Sequence, residues 1–178
     1  YGGCIYCSKL GSGDFAGNKS EPLLVQFEKG KAKMQQKWPD ATFIAYFQAN
    51  SNTYGSLDKL KECFEPFLEK KDVIGIAIAT RSDCLSEEIL DYLEEIQKKK
   101  WLMVELGLQT IHDKTAKLIN RCLSLDNFVQ GVEQLRQRNI PVVVHIINGL
   151  PYETKEMMVD TVKFLNTLDI QGVKIHML

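Results

Sequence analysis

Residues 73–108 read VIGIAIATRSDCLSEEILDYLEEIQKKKWLMVELGL. Two short apolar runs, Val73–Ala79 and Leu102–Leu108, flank an amphipathic stretch at Ser86–Lys99. The runs are rich in apolar and β-branched residues and do not alternate with polar ones, the pattern of strands buried on both faces. The stretch between them begins with Ser86, a suitable N-cap, and carries Glu87 and Glu88 in its first turn, where acidic side chains complement the helix dipole. A strand, a crossover helix and a second strand form a unit whose strands lie parallel.

The same unit recurs in both directions. Further apolar runs occur at Thr42–Phe47, Ile140–Ile147 and Val173–Leu178, and helix-period stretches at Glu21–Lys37, Leu57–Lys70, Leu125–Arg138 and Thr154–Leu168. Ser56 is placed to cap one of these helices, and Ser124 or Asp126 another. The order is αβαβαβαβαβ with a repeat of ~30 residues, which predicts an α/β fold around one parallel sheet. Periodicity does not decide between an open sheet and a closed barrel. No linker divides the chain, so residues 1–178 are expected to form one domain.

Parallel β/α folds carry their chemistry at the C-terminal ends of the strands. Polar residues collect at those ends here: Gln48, Asn50, Ser51, Asn52, Thr53 and Tyr54; Thr80, Arg81, Ser82 and Asp83; Glu105, Gln109 and Thr110; His145, Asn148 and Gly149; Lys174 and His176. Such a rim suits an enzyme. Glu105 lies within an apolar run and needs a partner there, either a ligand or an ion pair with Arg81 or Lys174. His145 reads equally as a site residue or a hydrogen-bonded core residue. Gly149 before Leu150 and Pro151 reads first as a turn, and Met157 and Met158 as helix packing.

Composition sets outer limits. The formal net charge of −1 gives no general attraction to nucleic acid, although Lys29, Lys31, Lys33 and Lys37 lie close together and Lys98–Lys100 form a run. No apolar stretch is long enough to span a membrane and no signal peptide is visible, so a cytoplasmic location without membrane contact is expected. Five cysteines in no regular framework read as thiols or metal ligands, not disulfides. The chain starts without Met and stops inside a strand-like VKIHML, so it reads as part of a longer protein.

Cys4 and Cys7 are separated by two residues, and a glycine-rich loop, GSGDFAG, follows soon after. Zinc would need two more Cys or His ligands, and no second Cys-x-x-Cys exists; Cys63, Cys84 and Cys122 read as small buried side chains. A redox pair would sit at a helix start, which the glycine loop prevents. An iron–sulfur site needs thiolates on a pliant loop, which the glycines provide. The pair alone leaves zinc and cluster open, with an inert pair as a third possibility.

Taken together, GGCIYCS, GSGDFAG, YFQANSNTY, IATRSDCL, VELGLQTIHDKTAKLINR and HIINGLPYET resemble the radical S-adenosylmethionine (SAM) superfamily. The match is to the YtqA- and MnmL-like proteins akin to the Elongator Elp-three subunit, and it covers Gly2 to Leu178. The resemblance implies a TIM-type (β/α)6 barrel, partial here with five strands because the first, along with the first cluster cysteine, lies upstream. It implies a 4Fe-4S cluster held by Cys4 and Cys7 with that upstream cysteine, and SAM on the iron left open. Tyr6 would shield the cluster and approach the adenine. Gln48, Asn50 and Asn52 would hold the methionine group, with Thr80, Arg81 and Asp83 on the same wall. Glu105 and Gln109 would face the ribose or the substrate, and His145, Asn148 and Gly149 the adenine. Where the family often reads NRGH, this chain has Asn120, Arg121, Cys122 and Leu123. The implied reaction is reductive SAM cleavage to a 5′-deoxyadenosyl radical that takes hydrogen from a substrate. The kinship with Elongator implies tRNA, at the wobble uridine, with the lysine patches on its phosphates and a flavodoxin or ferredoxin as electron donor. A small-molecule substrate, or a non-catalytic zinc or interaction module, are the alternatives. With two cysteines the chain alone is expected to be inactive, to lack a stable cluster, and to have a mobile glycine loop.

Overall fold

The computed structural model describes residues 3–7, 17–18 and 20–178. The expected mobility of the glycine loop falls on residues 8–16, outside those described. Five strands, β1 (Phe43–Phe47), β2 (Val73–Thr80), β3 (Trp101–Gln109), β4 (Val142–Asn148) and β5 (Gly172–Met177), alternate with helices. The helices are α1 (Leu23–Gln35), α2 (Leu57–Leu68), α3 (Glu87–Lys99), α4 (Asp113–Leu118), α5 (Leu125–Gln137) and α6 (Lys155–Leu165). All neighbouring strands pair in parallel, in the sequential order β1-β2-β3-β4-β5. The expected α/β class, the parallel sheet and every expected strand are present.

Local chemistry sets the helix starts. Ser56, Ser86, Ser124 and Thr154 each accept a hydrogen bond from the backbone N–H three residues on, which fixes the first turns of α2, α3, α5 and α6. Ser124, not Asp126, is thus the cap of α5. The helix α1 begins at Leu23, behind Pro22, with no side-chain cap. The six-residue α4 and a 3₁₀ turn at Ser82–Cys84 were not visible to periodicity, being too short for it. Gly131 of α5 presses against that turn: a Cβ there would lie 2.5 Å from the Ser82 Cβ.

The helices cover one face of the sheet. Ile76, Ile78, Leu102, Val104, Leu106, Leu108, Val142 and Val144 are fully buried beneath them. Burial on both faces, as the apolar runs predict, holds for the middle of β2, where Gly75–Ile78 are all buried. Elsewhere the opposite face carries polar side chains: Tyr46, Glu105, His145 and Lys174. That face is strongly concave. Edge strands of a flat five-stranded sheet would stand ~19 Å apart, yet Lys174 Nζ of β5 lies 3.0 Å from Tyr46 Oη of β1. The sheet is a curled half-barrel, the partial TIM-type barrel that the family resemblance implies.

Candidate active site

Two clusters of candidate residues emerge, one on the C-terminal rim and one inside the half-barrel. The rim holds the cysteine turn. The Cys7 N–H donates to the Cys4 carbonyl at 3.1 Å, and the turn docks on the segment after α4. Ile5 N–H donates to Ile119 O at 3.1 Å, Asn120 Nδ2 to Gly3 O at 2.6 Å, and the Cys4 thiol lies 3.6 Å from Asn120 O. Tyr6 packs on a small apolar seat of Ile119, Ile147 and Leu150. Burial, followed by the hydrogen bond to Cys4, pushes the Tyr6 phenol well up; burial and then Cys4 push the Cys7 thiol up. Cys4 is half-buried and Cys7 exposed.

Arg121, which the sequence reading did not single out as a site residue, holds this rim together. It is 2% exposed and directs four N–H···O contacts of 2.5–3.1 Å to the carbonyls of Leu108, Thr110 and Leu123. Its signal in the sequence was a lone arginine in a short polar segment, which has no meaning until the strand end beside it is known. Gln109, at that strand end, has φ +63°, a left-handed conformation that side chains rarely adopt. Ala49 and Asn50, just after β1, also have positive φ, as does Gly149 at +87°. Backbone is turned this way at three strand ends of the rim.

The remaining rim residues divide by what already engages them. Asn52 Nδ2 donates to Ala79 O at 2.8 Å and lies near the Phe47 and Ala49 carbonyls, so this amide latches the loop after β1 onto β2. Thr80 is buried and shares a 2.6 Å hydrogen bond with Thr53, whose hydroxyl donates to Cys84 O. Arg81 and Asp83 pair with each other at 2.7 and 2.8 Å, so Arg81 is not the partner of Glu105. That ion pair holds the Asp83 carboxyl below its usual range and the Arg81 guanidinium above its own. Gln48, Asn50, Gln109 and Asn148 are half-buried or exposed on the same rim. Cys63 and Cys84 are half-buried, but Cys122 is exposed with φ +54°, contrary to the expected buried thiol.

The inner cluster centres on Glu105. One carboxylate oxygen, Oε2, receives the Tyr46 hydroxyl at 2.6 Å, His145 Nε2 at 2.6 Å and Lys174 Nζ at 3.4 Å. The Lys174 ammonium also sits 4.9 Å from the Tyr46 ring centroid, and the His145 and His176 rings lie 5.1 Å apart. The expected alternative for Glu105, an ion pair with Lys174, is therefore part of a larger network. Tyr46 was missed because an aromatic in an apolar run reads as core. Burial alone would raise the Glu105 pKa, but the hydrogen bonds from His145 and Tyr46 and the nearby cations outweigh it and hold it at about 2, against 4.5 ordinarily. The same hydrogen bond pushes the Tyr46 phenol up, after burial.

This depression has a consequence for stability. A carboxyl whose folded pKa lies below its unfolded value stabilises the fold above the unfolded pKa and loses that contribution as pH falls through the folded one. Between pH about 4.5 and about 2 the protein should lose on the order of 2 kcal/mol through Glu105. Glu105→Gln should remove this part of the acid slope. Urea midpoints measured across that pH window check it, and parallel slopes for the two proteins would refute it.

The lysine patches lie elsewhere. Lys98–Lys100 precede β3, at the rim opposite the cysteine turn; Lys98 pairs with Glu94, and Lys100 Nζ donates to the Lys70 carbonyl at 2.6 Å and to that of Val73. Lys29 pairs with Glu21, and Lys31 with Glu28 and Asp72. Among the described residues no helix is long and apolar enough to cross a membrane.

A family model described as the Radical SAM superfamily matches residues 1–165. The chain is 51% identical over all its 178 residues to the uncharacterized protein YtqA of Bacillus subtilis, covering 55% of that protein. It is 26% identical over 121 residues, 60% of this chain and 22% of the other, to a tRNA uridine(34) acetyltransferase of Methanocaldococcus infernus. The fold is similar to that of archaeal Methanocaldococcus infernus Elp3 with residues 1–46 deleted, at a TM-score of 0.72 and 18% identity over 88% of this chain and 42% of that one. The chain spans about half the length of the curated relatives it matches most extensively. A cysteine turn seated on the rim of a curled parallel half-barrel, with the family match over most of the chain, places it: this chain belongs to the radical SAM superfamily and is similar within it to the YtqA-like proteins.

Proposed function

We propose that this chain is the core of a cytoplasmic radical SAM enzyme that modifies tRNA, with the wobble uridine as the substrate nucleoside. The superfamily works with a 4Fe-4S cluster and SAM. The donor set here fits the cluster in part: Cys4 and Cys7 are two thiols on one tight turn. Among the described residues no three His, Cys, Asp or Glu side chains converge on a metal position, and a third protein ligand would come from outside them. When bound, the cluster and SAM supply reductive cleavage of a carbon–sulfur bond, giving methionine and a 5′-deoxyadenosyl radical.

The chain's own residues provide position and shelter. The contacts of Gly3, Cys4 and Ile5 with Ile119 and Asn120 fix the thiols over the C-terminal rim. Tyr6 and its apolar seat exclude water beneath them. Gln48, Asn50, Gln109, Asn148 and the Gly149 backbone line the rim with polar groups suited to the amino-acid and ribose parts of SAM. Asn52, Thr80, Arg81 and Asp83 support that wall through the contacts already described. Glu105 and His145 lie deeper, where a substrate would enter.

The observation that carries this reading is the seating of the Cys4–Cys7 turn on the rim. The tRNA assignment draws on the relative whose name specifies uridine 34. A flavodoxin or ferredoxin is the electron source that fits such chemistry. To test it, the full-length protein is purified without oxygen, reconstituted with iron and sulfide, and given SAM and dithionite. Release of 5′-deoxyadenosine is expected, together with loss of one modified nucleoside from the tRNA of a deletion strain. A zinc-loaded protein without SAM cleavage would sink the enzyme reading, and an unchanged tRNA profile would sink the substrate.

A further inference from the structure

We propose that His145 is the proton-accepting group of the inner chamber, its Nδ1 taking a proton from an O–H or N–H group next to the substrate carbon that loses hydrogen. This rests on the radical SAM reading above. Glu105 Oε2 decides which ring nitrogen of His145 carries the hydrogen. An ionised carboxylate only accepts hydrogen bonds, so His145 Nε2, at 2.6 Å, must carry the hydrogen. In a neutral imidazole the lone pair is then on Nδ1. The Tyr46 hydroxyl and the Lys174 ammonium donate to the same oxygen and keep the carboxylate ionised at any pH where the enzyme works.

The groups facing His145 are Tyr46 from β1, Glu105 from β3, and Lys174 and His176 from β5; β2 presents the small Ala77 and Ala79. Of these, Glu105 is the group whose charge favours an imidazolium. Burial, with the Lys174 ammonium nearby, holds the His176 pKa below its usual value. The arrangement is a carboxylate that fixes one tautomer of a histidine and then stabilises its protonated form, leaving Nδ1 as the base.

This arrangement selects a substrate class. A carbon radical beside O–H or N–H makes that hydrogen more acidic than in the parent molecule. The proton leaves that group, its bonding pair stays on the oxygen or nitrogen, and the unpaired electron remains on the substrate. Nδ1 provides the pair for the new N–H bond, and the resulting imidazolium is paired with Glu105 until it returns the proton. The substrate therefore carries a hydroxyl or amino group on the reacting carbon.

Two measurements test this on the full-length protein. In the oxidised, diamagnetic protein labelled with 15N-histidine, the His145 signal, assigned by its loss in His145→Gln, should show the Nε2–H tautomer, and Glu105→Gln should weaken that preference. With tRNA from the deletion strain as the probe, His145→Gln should lower product formation ~10²–10³-fold and flatten the acid limb of its pH profile, in the range of a lost general base. An Nδ1–H tautomer overturns the proposal. So does an unshifted acid limb in a His145→Gln enzyme that still cleaves SAM and makes product. A wild-type protein that does not cleave SAM overturns the enzyme reading instead, and the tautomer still judges the geometry by itself.

Discussion

Replacing Cys4 or Cys7 by alanine in the full-length, reconstituted protein should abolish its visible iron–sulfur absorption and bring 5′-deoxyadenosine release below detection. On the proposed ligation the expected loss is complete, because each thiolate would be one of the protein's few bonds to the cluster, and a cluster held by fewer does not keep an open iron in place. Stability should barely change. Cys7 is exposed, and the Cys4 thiol makes only weak thiol hydrogen bonds, with Asn120 O at 3.6 Å and with the Tyr6 phenol, so each substitution should cost about 1 kcal/mol or less. That separation gives the experiment its force, since activity is lost while the circular dichroism and the urea midpoint stay in place. Cys63→Ser serves as the control: this half-buried thiol of α2 packs against the core, away from the rim, and the substitution should leave the absorption intact. A Cys4→Ala protein that retains both absorption and cleavage would refute the assignment.

The amino-acid pattern revealed β1 to β4 because each buries one face against helices, as a run such as Leu102-Met103-Val104 announces; in β5, contrary to the expected burial, Val173, Ile175 and Met177 are exposed. Ser56 and Ser86 were equally legible, since a cap acts within three residues of itself. What stayed hidden depends on how the sheet curls. Tyr46 and Lys174 are 128 residues apart, and only the curvature brings them to 3.0 Å and onto one carboxylate oxygen. The surroundings of the lysine patches were hidden in the same way: the partners of Lys29 and Lys31, Glu21 and Asp72, come from neighbouring segments, and the β/α order sends Lys98–Lys100 to the rim opposite the cysteine turn. Glu105 itself was legible, because a carboxylate in an apolar run must be paired. Of its partners only Lys174 was legible, by charge; His145 stood out as a site or hydrogen-bonded residue without its partner, and Tyr46 did not stand out at all. The rim residues were found as a set, but their division into latching groups such as Asn52 and those such as Gln48 without a hydrogen-bond partner among the described residues is a tertiary fact.

Arg121→Leu should lower the folding stability by ~3–5 kcal/mol, the range for removing a buried charged hydrogen-bonding partner. The side chain has no carboxylate within ion-pair distance among the described residues, and burial depresses its pKa. Its charge is instead spread over the carbonyls of Leu108, Thr110 and Leu123, which cost little only while the guanidinium serves them. Leucine fills some of the volume and satisfies none of the three. Leu108 O keeps the Thr110 N–H at 2.8 Å; Thr110 O and Leu123 O are left with less. The damage should also spread along the chain, because Arg121 joins the end of β3 to the segment on which the cysteine turn sits. Gln109 at φ +63° and Asn120 at φ +56° are held in left-handed conformations beside it, and without the guanidinium both are free to relax. Arg121→Lys, which reaches at most part of the fork, should lose less stability but still loosen the rim. Urea unfolding gives the first effect, and hydrogen exchange at Ile5, whose N–H bonds to Ile119 O, gives the second. If Arg121→Leu unfolds at the wild-type midpoint, or leaves the Ile5 amide as protected as before, the guanidinium does not join the strand end to the cysteine turn.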